Sequence, residues 1–448
     1  MGETRKRAAV LRPRGLTDDS GSTIVAVLAI ITSVLLVGVA IFTLGHAEGD
    51  LVEYAVDDAR AFYVAEGGLE RARAWLGSLQ EDDPNANPVG MTFENQTLGG
   101  GVYTISVLDD LSGGGWQPAY EVVCVAEVDG VARSVRTVMV PETFAKYQWF
   151  VERGGWRWFL SGERFEGPVH VNKDLQIDGD PWFGGRVTAG GGITLKNGSN
   201  PTFEQGYELN VEDIPLPDVS DIDAVVKTAA LNGGLYAGVL PHNKGFYHVR
   251  LGHPSVGELT YEGLRPQGGG YQTILSSQTS DIASLNGAAW FGDPVAIEGT
   301  LDGQLTIMAD GNIEIWDDLL YDASTPGAGP DPGCDDVLGL IANGDIEISY
   351  TPANQNDCEI HGVMMALDKD LLAEDYNHYA PRGSLIIYGG VIADKSIHLG
   401  QFRDGYCVHG YERDYRLDPR LPRMPPPFFP LTGRYIVHSW EEINPPEA

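Results

Sequence analysis

From Thr23 to Leu44 the chain runs through twenty-two residues without a charge. At a rise of about 1.5 Å per residue, a helix of that length covers a hydrocarbon core of roughly 30 Å. Lipid offers the backbone no hydrogen-bond partners, so such a run is restricted to a form that satisfies its own N–H and C=O groups, the α-helix. Upstream, Arg5, Lys6, Arg7, Arg12 and Arg14 concentrate positive charge. That charge favours retention on the cytoplasmic side and predicts a single pass through the inner membrane, N-in and C-out. The exported remainder would lie in the periplasm or at the cell surface.

The helical pattern continues past the apolar run. Leu51, Ala55, Phe62, Ala65, Leu69 and Ala72 recur at spacings of three, four or seven, whereas Asp57, Asp58, Arg60, Glu66 and Arg71 fall largely elsewhere. The pair Gly67-Gly68 is expected to weaken or bend this helix, at about 1 kcal/mol per Gly relative to Ala. Its end is expected near Gly77 to Gln80. A secretory signal would have a shorter apolar core followed by a small-residue cleavage site; an uncleaved anchor is the other alternative. The junction Asp19-Ser20-Gly21-Ser22-Thr23-Ile24-Val25-Ala26 favours a third reading, in which Gly21, just before the apolar segment, is the last residue of a leader.

Residues 21 to 76 resemble the N-terminal segment of PilX-type minor pilins. The resemblance rests on the Gly21-Ser22 junction, the apolar helix and the motif Ala61-Phe62-Tyr63-Val64-Ala65-Glu66-Gly67-Gly68-Leu69. It implies cleavage after Gly21 by a prepilin peptidase, with Ser22 as the new N-terminus. It also implies a filament helix that includes Phe62, Tyr63 and Glu66, with other pilins or pseudopilins as partners. Major pilins of this kind usually carry Glu at the fifth mature position, to meet the N-terminal amine of a neighbour; here that position is Ala26. A buried amine without a carboxylate partner is costly, so the departure suits a subunit in a rare position such as a filament tip.

The predicted fold class is α+β: a basic leader (1–21), a transmembrane and amphipathic pilin-like helix (22–80), a small antiparallel head (81–141) and a large Gly-rich β region (142–448). Thr104–Val107, Tyr120–Val128 and Ala132–Val140 read as strands between Gly-rich turns. In the β region a motif recurs as Ala309-Asp-Gly-Asn-Ile-Glu-Ile315 and Ala342-Asn-Gly-Asp-Ile-Glu-Ile348. Looser copies are Ala189-Gly-Gly-Gly-Ile-Thr-Leu195 and Ala393-Asp-Lys-Ser-Ile-His-Leu399. Short strands after Gly or polar turns predict stacked, solenoid-like coils; an irregular β-sandwich is the alternative, since no short fixed period runs through the region. Asp221–Leu231 and Asp368–Tyr376 are predicted as short helices, and Tyr435–Trp440 as a closing strand. Gly167–Asn172, Gly184–Thr188 and Gly410–Pro430 resemble an uncharacterised bacterial domain found behind PilX-like anchors, a resemblance that implies no activity.

The net charge of −33 disfavours nucleic acid and anionic headgroups as partners. Cys334 and Cys358 flank one expected rung and could staple it as a disulfide in an oxidising exterior, with unpaired thiols as the alternative. No zinc signature, phosphate-binding loop or nucleophile elbow occurs, so neither cofactor nor enzymatic activity is expected. The rival is a membrane-tethered β-helix outside any filament, either an adhesin or a carbohydrate-active enzyme whose two carboxylates the fold alone would bring together. Asp218, Asp221 and Asp223, and Asp331, Asp335 and Asp336, read as solvated turns in preference to calcium sites. His361, His378, His398 and His409 match no metal spacing. The aromatic stretch from Tyr147 to Phe159 is expected at the seam between head and β region, and Pro425-Pro426-Pro427 as an extended strap.

Overall fold

The computed structural model describes residues 20–82, 87–111, 118–154, 158–196, 198–241, 243–403 and 406–444. The basic leader therefore lies outside the described residues up to position 19. Helix α1 runs unbroken from Ser20 to Asp82, a length of roughly 95 Å at the standard rise. Its first half, from Thr23 to Val56, is exposed on every side.

The second half of α1 packs on an antiparallel sheet, which explains where its polarity changes. The buried face is Ala61, Val64, Ala65, Leu69, Ala72 and Leu76. This is the i, i+3, i+4 spacing of one helix stripe. Leu51 and Ala55, predicted on that stripe, are exposed because the sheet does not reach them. The sheet strands are β1 (Thr92–Leu98), β2 (Gly101–Asp110), β3 (Tyr120–Val128), β4 (Val131–Thr143) and β5 (Leu431–Ile443), hydrogen-bonded in that order. The C-terminal strand thus leaves the β region and completes the head, pairing Tyr435 with Pro141 and Ile443 with Ser134.

Gly67 and Gly68 do not interrupt α1. They allow the sheet to approach it: a Cβ at Gly68 would lie 2.4 Å from Cys124 Sγ and 2.9 Å from the Tyr103 ring, and one at Gly67 would lie 2.3 Å from Leu98 Cδ2. Gly68→Ala should therefore destabilise the head by about 1–3 kcal/mol despite its better helix propensity. Gly49→Ala, where an added Cβ meets nothing within 4 Å, should be neutral or slightly stabilising. Thermal unfolding of the two variants side by side checks this, and equal behaviour would refute the close-approach account.

Between β4 and β5 the chain winds into coils whose strands stack as three parallel ladders. In the first ladder the spatial order is Leu235–Ala237, Ala288–Phe291, Gln304–Ala309, Val337–Ala342 and Val363–Ala366. Then come Val391–Ala393, Trp149–Val151, Val169–Val171, Val187–Ala189 and Tyr207–Leu209. Spatial order and chain order differ. The chain enters mid-stack at Trp149, winds out to Leu209, returns past helix α2 (Val219–Leu231) to the far end at Leu235, and winds back until Val391–Ala393 meets Trp149–Val151. Stacked rings mark the third ladder across that seam: Tyr415 on Phe165 at 5.1 Å, Phe165 on Phe183 at 5.4 Å and Phe183 on Phe203 at 5.0 Å.

The recurring Ala-x-x-x-Ile motif is the corner between the first and second ladders. Ala309, Ala342, Ala366 and Ala393 stand in register, and Asn343 N–H and Leu367 N–H donate to the carbonyls of Ala309 and Ala342. Ile313, Ile346, Leu371 and Ile397 follow in register on the next ladder, facing inward. The stretch Asp368–Tyr376, predicted helical, instead holds the strand Leu371–Ala373. Burial of Leu371 and Ala373 between neighbouring coils overrides its local propensity.

A second apolar layer covers the outer side of the first ladder. Phe150, Met308, Ile341, Met365 and Ile392 point outward and are roofed by Ile214, Leu216, Ile222 and Val226 from the return segment, with Phe429 from the Pro-rich stretch. The Pro425–Pro427 region is thus a strap, and the Thr306 hydroxyl donates to the Pro427 carbonyl. The aromatic stretch divides accordingly: Trp149 and Phe159 lie inside the coils, while Tyr147 and Phe150 lie under the roof.

The disulfide expected between Cys334 and Cys358 is not formed; all four thiols are free. Cys358 points into the coil core at 1% exposure, whereas Cys334 sits in a turn where Arg420 Nη1 lies 2.7 Å from its Sγ. An inward strand position and an outer turn do not present their sulfurs to one another.

Candidate functional site

The first functional feature is the bare part of α1. The backbone is helical through Gly21 and Ser22, and Ala26 lies on the exposed surface roughly eight turns before any packing begins at Asp57. The window of α1 apolar enough to cross a membrane has no buried residue. Within the predicted motif, Phe62 is half-buried and meets Trp440 of β5 edge-to-face at 6.0 Å, Glu66 is half-buried, and Tyr63 is 69% exposed. Sequence reasoning missed the cross-chain contact of Phe62, because its partner comes from the far end of the chain.

The head is fixed to α1 by charge as well as by packing. Arg133 of β4 forms a fork to Asp58 of α1, with Nε and Nη2 on Oδ1 and Oδ2 at 2.6 and 2.5 Å. Its Nη1 meets Glu442 of β5 at 2.5 Å. Fork geometry of this kind sets orientation as well as adding energy.

The second feature is a flank of the coils, two of whose acids, Glu314 and Glu347, belong to the recurring motif, although the motif did not mark them as a site. Strand alternation sends Ile313, Ile315, Ile346 and Ile348 inward, so Glu314 and Glu347 point outward, directly opposed on neighbouring coils. Glu374 follows at the next coil and accepts from Tyr350 N–H at 2.6 Å. Partial burial pushes the Glu347 carboxyl up to about 7, with Glu374 and Glu314 adding repulsion. Glu314 accepts from Trp316 Nε1 at 3.0 Å.

Aromatic rings border these acids. Tyr271, on the long hairpin formed by Glu258–Gln267 and Gly270–Asp281, reaches over the coils and stacks on Trp316 at 5.4 Å. Phe246 packs edge-on to both rings. One coil further, Tyr350 and Tyr379 stack at 4.0 Å with 6° between their planes. Beneath them Arg382, 2% exposed, lies 4.5 Å from the Tyr350 ring centre. Its Nη2 donates to the Glu374 carbonyl, while Nε and Nη1 have no hydrogen-bond partner among the described residues.

Several of the other residues singled out in the sequence have structural partners. Asp223 accepts from Trp290 Nε1 at 2.7 Å, and Asp336 accepts from Gly303 N–H and Ala323 N–H. Among the described residues no group of three His, Cys, Asp or Glu side chains is arranged to hold a metal. His361 is fully buried: Tyr321 N–H donates to its Nδ1, so Nε2 carries the proton and donates to Glu359 at 2.8 Å. Burial holds its basicity below the usual histidine range.

A family model described as a domain of unknown function (DUF4900) matches residues 125–192. That segment covers the end of β3, all of β4 and the first coils, and so bridges head and β region. No curated protein matches the sequence. Among solved structures, the competence-associated pilin ComZ from Thermus thermophilus is similar over 86% of this chain and 98% of its own, at 12% identity and a TM-score of 0.33.

Proposed function

We propose that this chain is a minor-pilin-like subunit of a type IV pilus or related secretion filament. In this reading it is stored in the inner membrane N-in and C-out, and released into the filament after a prepilin peptidase cuts between Gly21 and Ser22. The observation that carries the reading is the division of α1. One continuous helix leaves its apolar half uncovered from Thr23 onward and sheathes its other half in the five-stranded head. An uncovered helix of that composition needs lipid or the helices of other pilins around it. Ala26 suits a position where no neighbouring amine has to be neutralised, such as the tip, from which the acidic coils would be displayed. The role is one of assembly and display, without a catalytic step.

The test is to shear surface filaments from cells, purify them and sequence the N-terminus of this chain by mass spectrometry. The expected result is a chain beginning at Ser22 in the filament fraction, and its disappearance from that fraction on Gly21→Asp substitution. A chain found only in the inner membrane and still starting at Met1 would overturn the reading.

A further inference from the structure

We propose that the flank carrying Tyr271, Trp316, Tyr350 and Tyr379 binds a neutral, extended β-1,4-linked glycan laid along the coil axis. The proposal is independent of whether α1 enters a filament. Three observations combine. First, two stacked pairs of rings sit one coil apart: Tyr271 on Trp316 and Tyr379 on Tyr350, with Trp316 and Tyr350 following strands paired on neighbouring coils, which succeed one another at about 4.8 Å, close to the advance per sugar of an extended β-linked chain. Second, the outer ring of each pair remains open to solvent after folding, Tyr271 at 58% and Tyr379 at 40% exposure, with Trp316 and Tyr350 half-buried behind them. Aromatic faces of this kind meet the C–H faces of sugar rings, and Tyr also offers a hydroxyl at its wet end.

Third, hydrogen-bonding capacity is held beside the rings. Glu314 and Glu347, opposed on neighbouring coils, and Glu374 on the next supply acceptors to sugar hydroxyls. The carboxylates and the net charge of −33 disfavour an anionic polysaccharide. A flat neutral chain, apolar on its faces and hydroxylated along its edges, meets both requirements.

The experiment uses the full chain in lipid nanodiscs, titrated with cellohexaose, chitohexaose and hexagalacturonate, and read by tryptophan fluorescence and calorimetry. The expected result is saturable binding of a neutral hexasaccharide and none of the anionic one. Tyr271→Ala, at an exposed hairpin position, and Trp316→Ala should each weaken binding about tenfold, the effect of losing one stacked ring. Circular dichroism with thermal unfolding checks that each variant is folded; the Tyr271 variant keeps the test decisive if Trp316→Ala fails to fold. Absence of binding by both neutral sugars, unchanged affinity in folded Tyr271→Ala, or preference for the galacturonate would each overturn the proposal.

Discussion

A chain ending at Pro430 should reach the membrane with its head unfolded. Although β5 is more than 280 residues from β4 in sequence, it supplies the whole outer partner of that strand. It also buries Tyr435 at 6% exposure in the core shared with α1, places Trp440 against Phe62 and accepts the Thr137 hydroxyl at the Ser439 carbonyl, 2.8 Å away. Truncation leaves Arg133 with Asp58 alone and opens a face of the core to water. We expect a loss on the order of 5 kcal/mol, comparable with the entire stability of a small domain. Hydrogen exchange followed by mass spectrometry should show β3 and β4 losing protection while the coils from Leu235 to Ala393 retain it. A truncated chain whose β3 and β4 remain as protected as in the intact protein would refute the role assigned to β5.

The second large effect is expected at the seam where the first coil stacks on the last. Glu163 and Arg413 come from those two coils and form an ion pair at 2.8 Å, their side chains 4% and 2% exposed. Glu163 also accepts from Leu160 N–H at 2.7 Å, and the Arg413 guanidinium lies 4.3 Å from the Phe402 ring centre. Removing one partner leaves a buried charge without its counter-ion, at a cost of about 3–5 kcal/mol. Arg413→Met, which retains much of the side-chain stem, should therefore open the seam, with faster hydrogen exchange in Trp158–Phe165 and Tyr411–Arg416. Adding Glu163→Gln removes the stranded charge and should recover most of the loss. If the single substitution changes exchange by no more than the double one, the pair is not what holds the seam.

Much of the architecture was legible from the residues. Thr23–Leu44 without a charge, then Ala65, Leu69 and Ala72 on one stripe, marked a helix that changes environment along its length. The three head strands within Thr104–Val140 and helix α2 followed from period and turn chemistry. The solenoid-like stacking was visible in Ala309–Ile315 and Ala342–Ile348 because each coil must turn a tight corner at the same place. A fixed period was not visible, since one coil needs only the residues from Val171 to Ala189, while another runs from Ala309 to Ala342 and carries an outward loop. Loops outside the ladders can lengthen without disturbing the inward residues, so the period is free to drift.

The candidate sites divide along the same line. The sequence alone determined the membrane-length helix, the charge asymmetry before it and the acidity of the region that follows it, because each depends on composition over neighbouring residues. Only the tertiary structure decided that Gly67 and Gly68 serve close approach of the sheet. It alone brought β5 back to the head, stacked the first coil on the last, kept Cys334 and Cys358 apart, and gathered Tyr271, Trp316, Glu347 and Arg382 on one flank. Those outcomes depend on contacts between segments distant in sequence. A residue's type states what contact it can make, but its partner is set by the path of the whole chain.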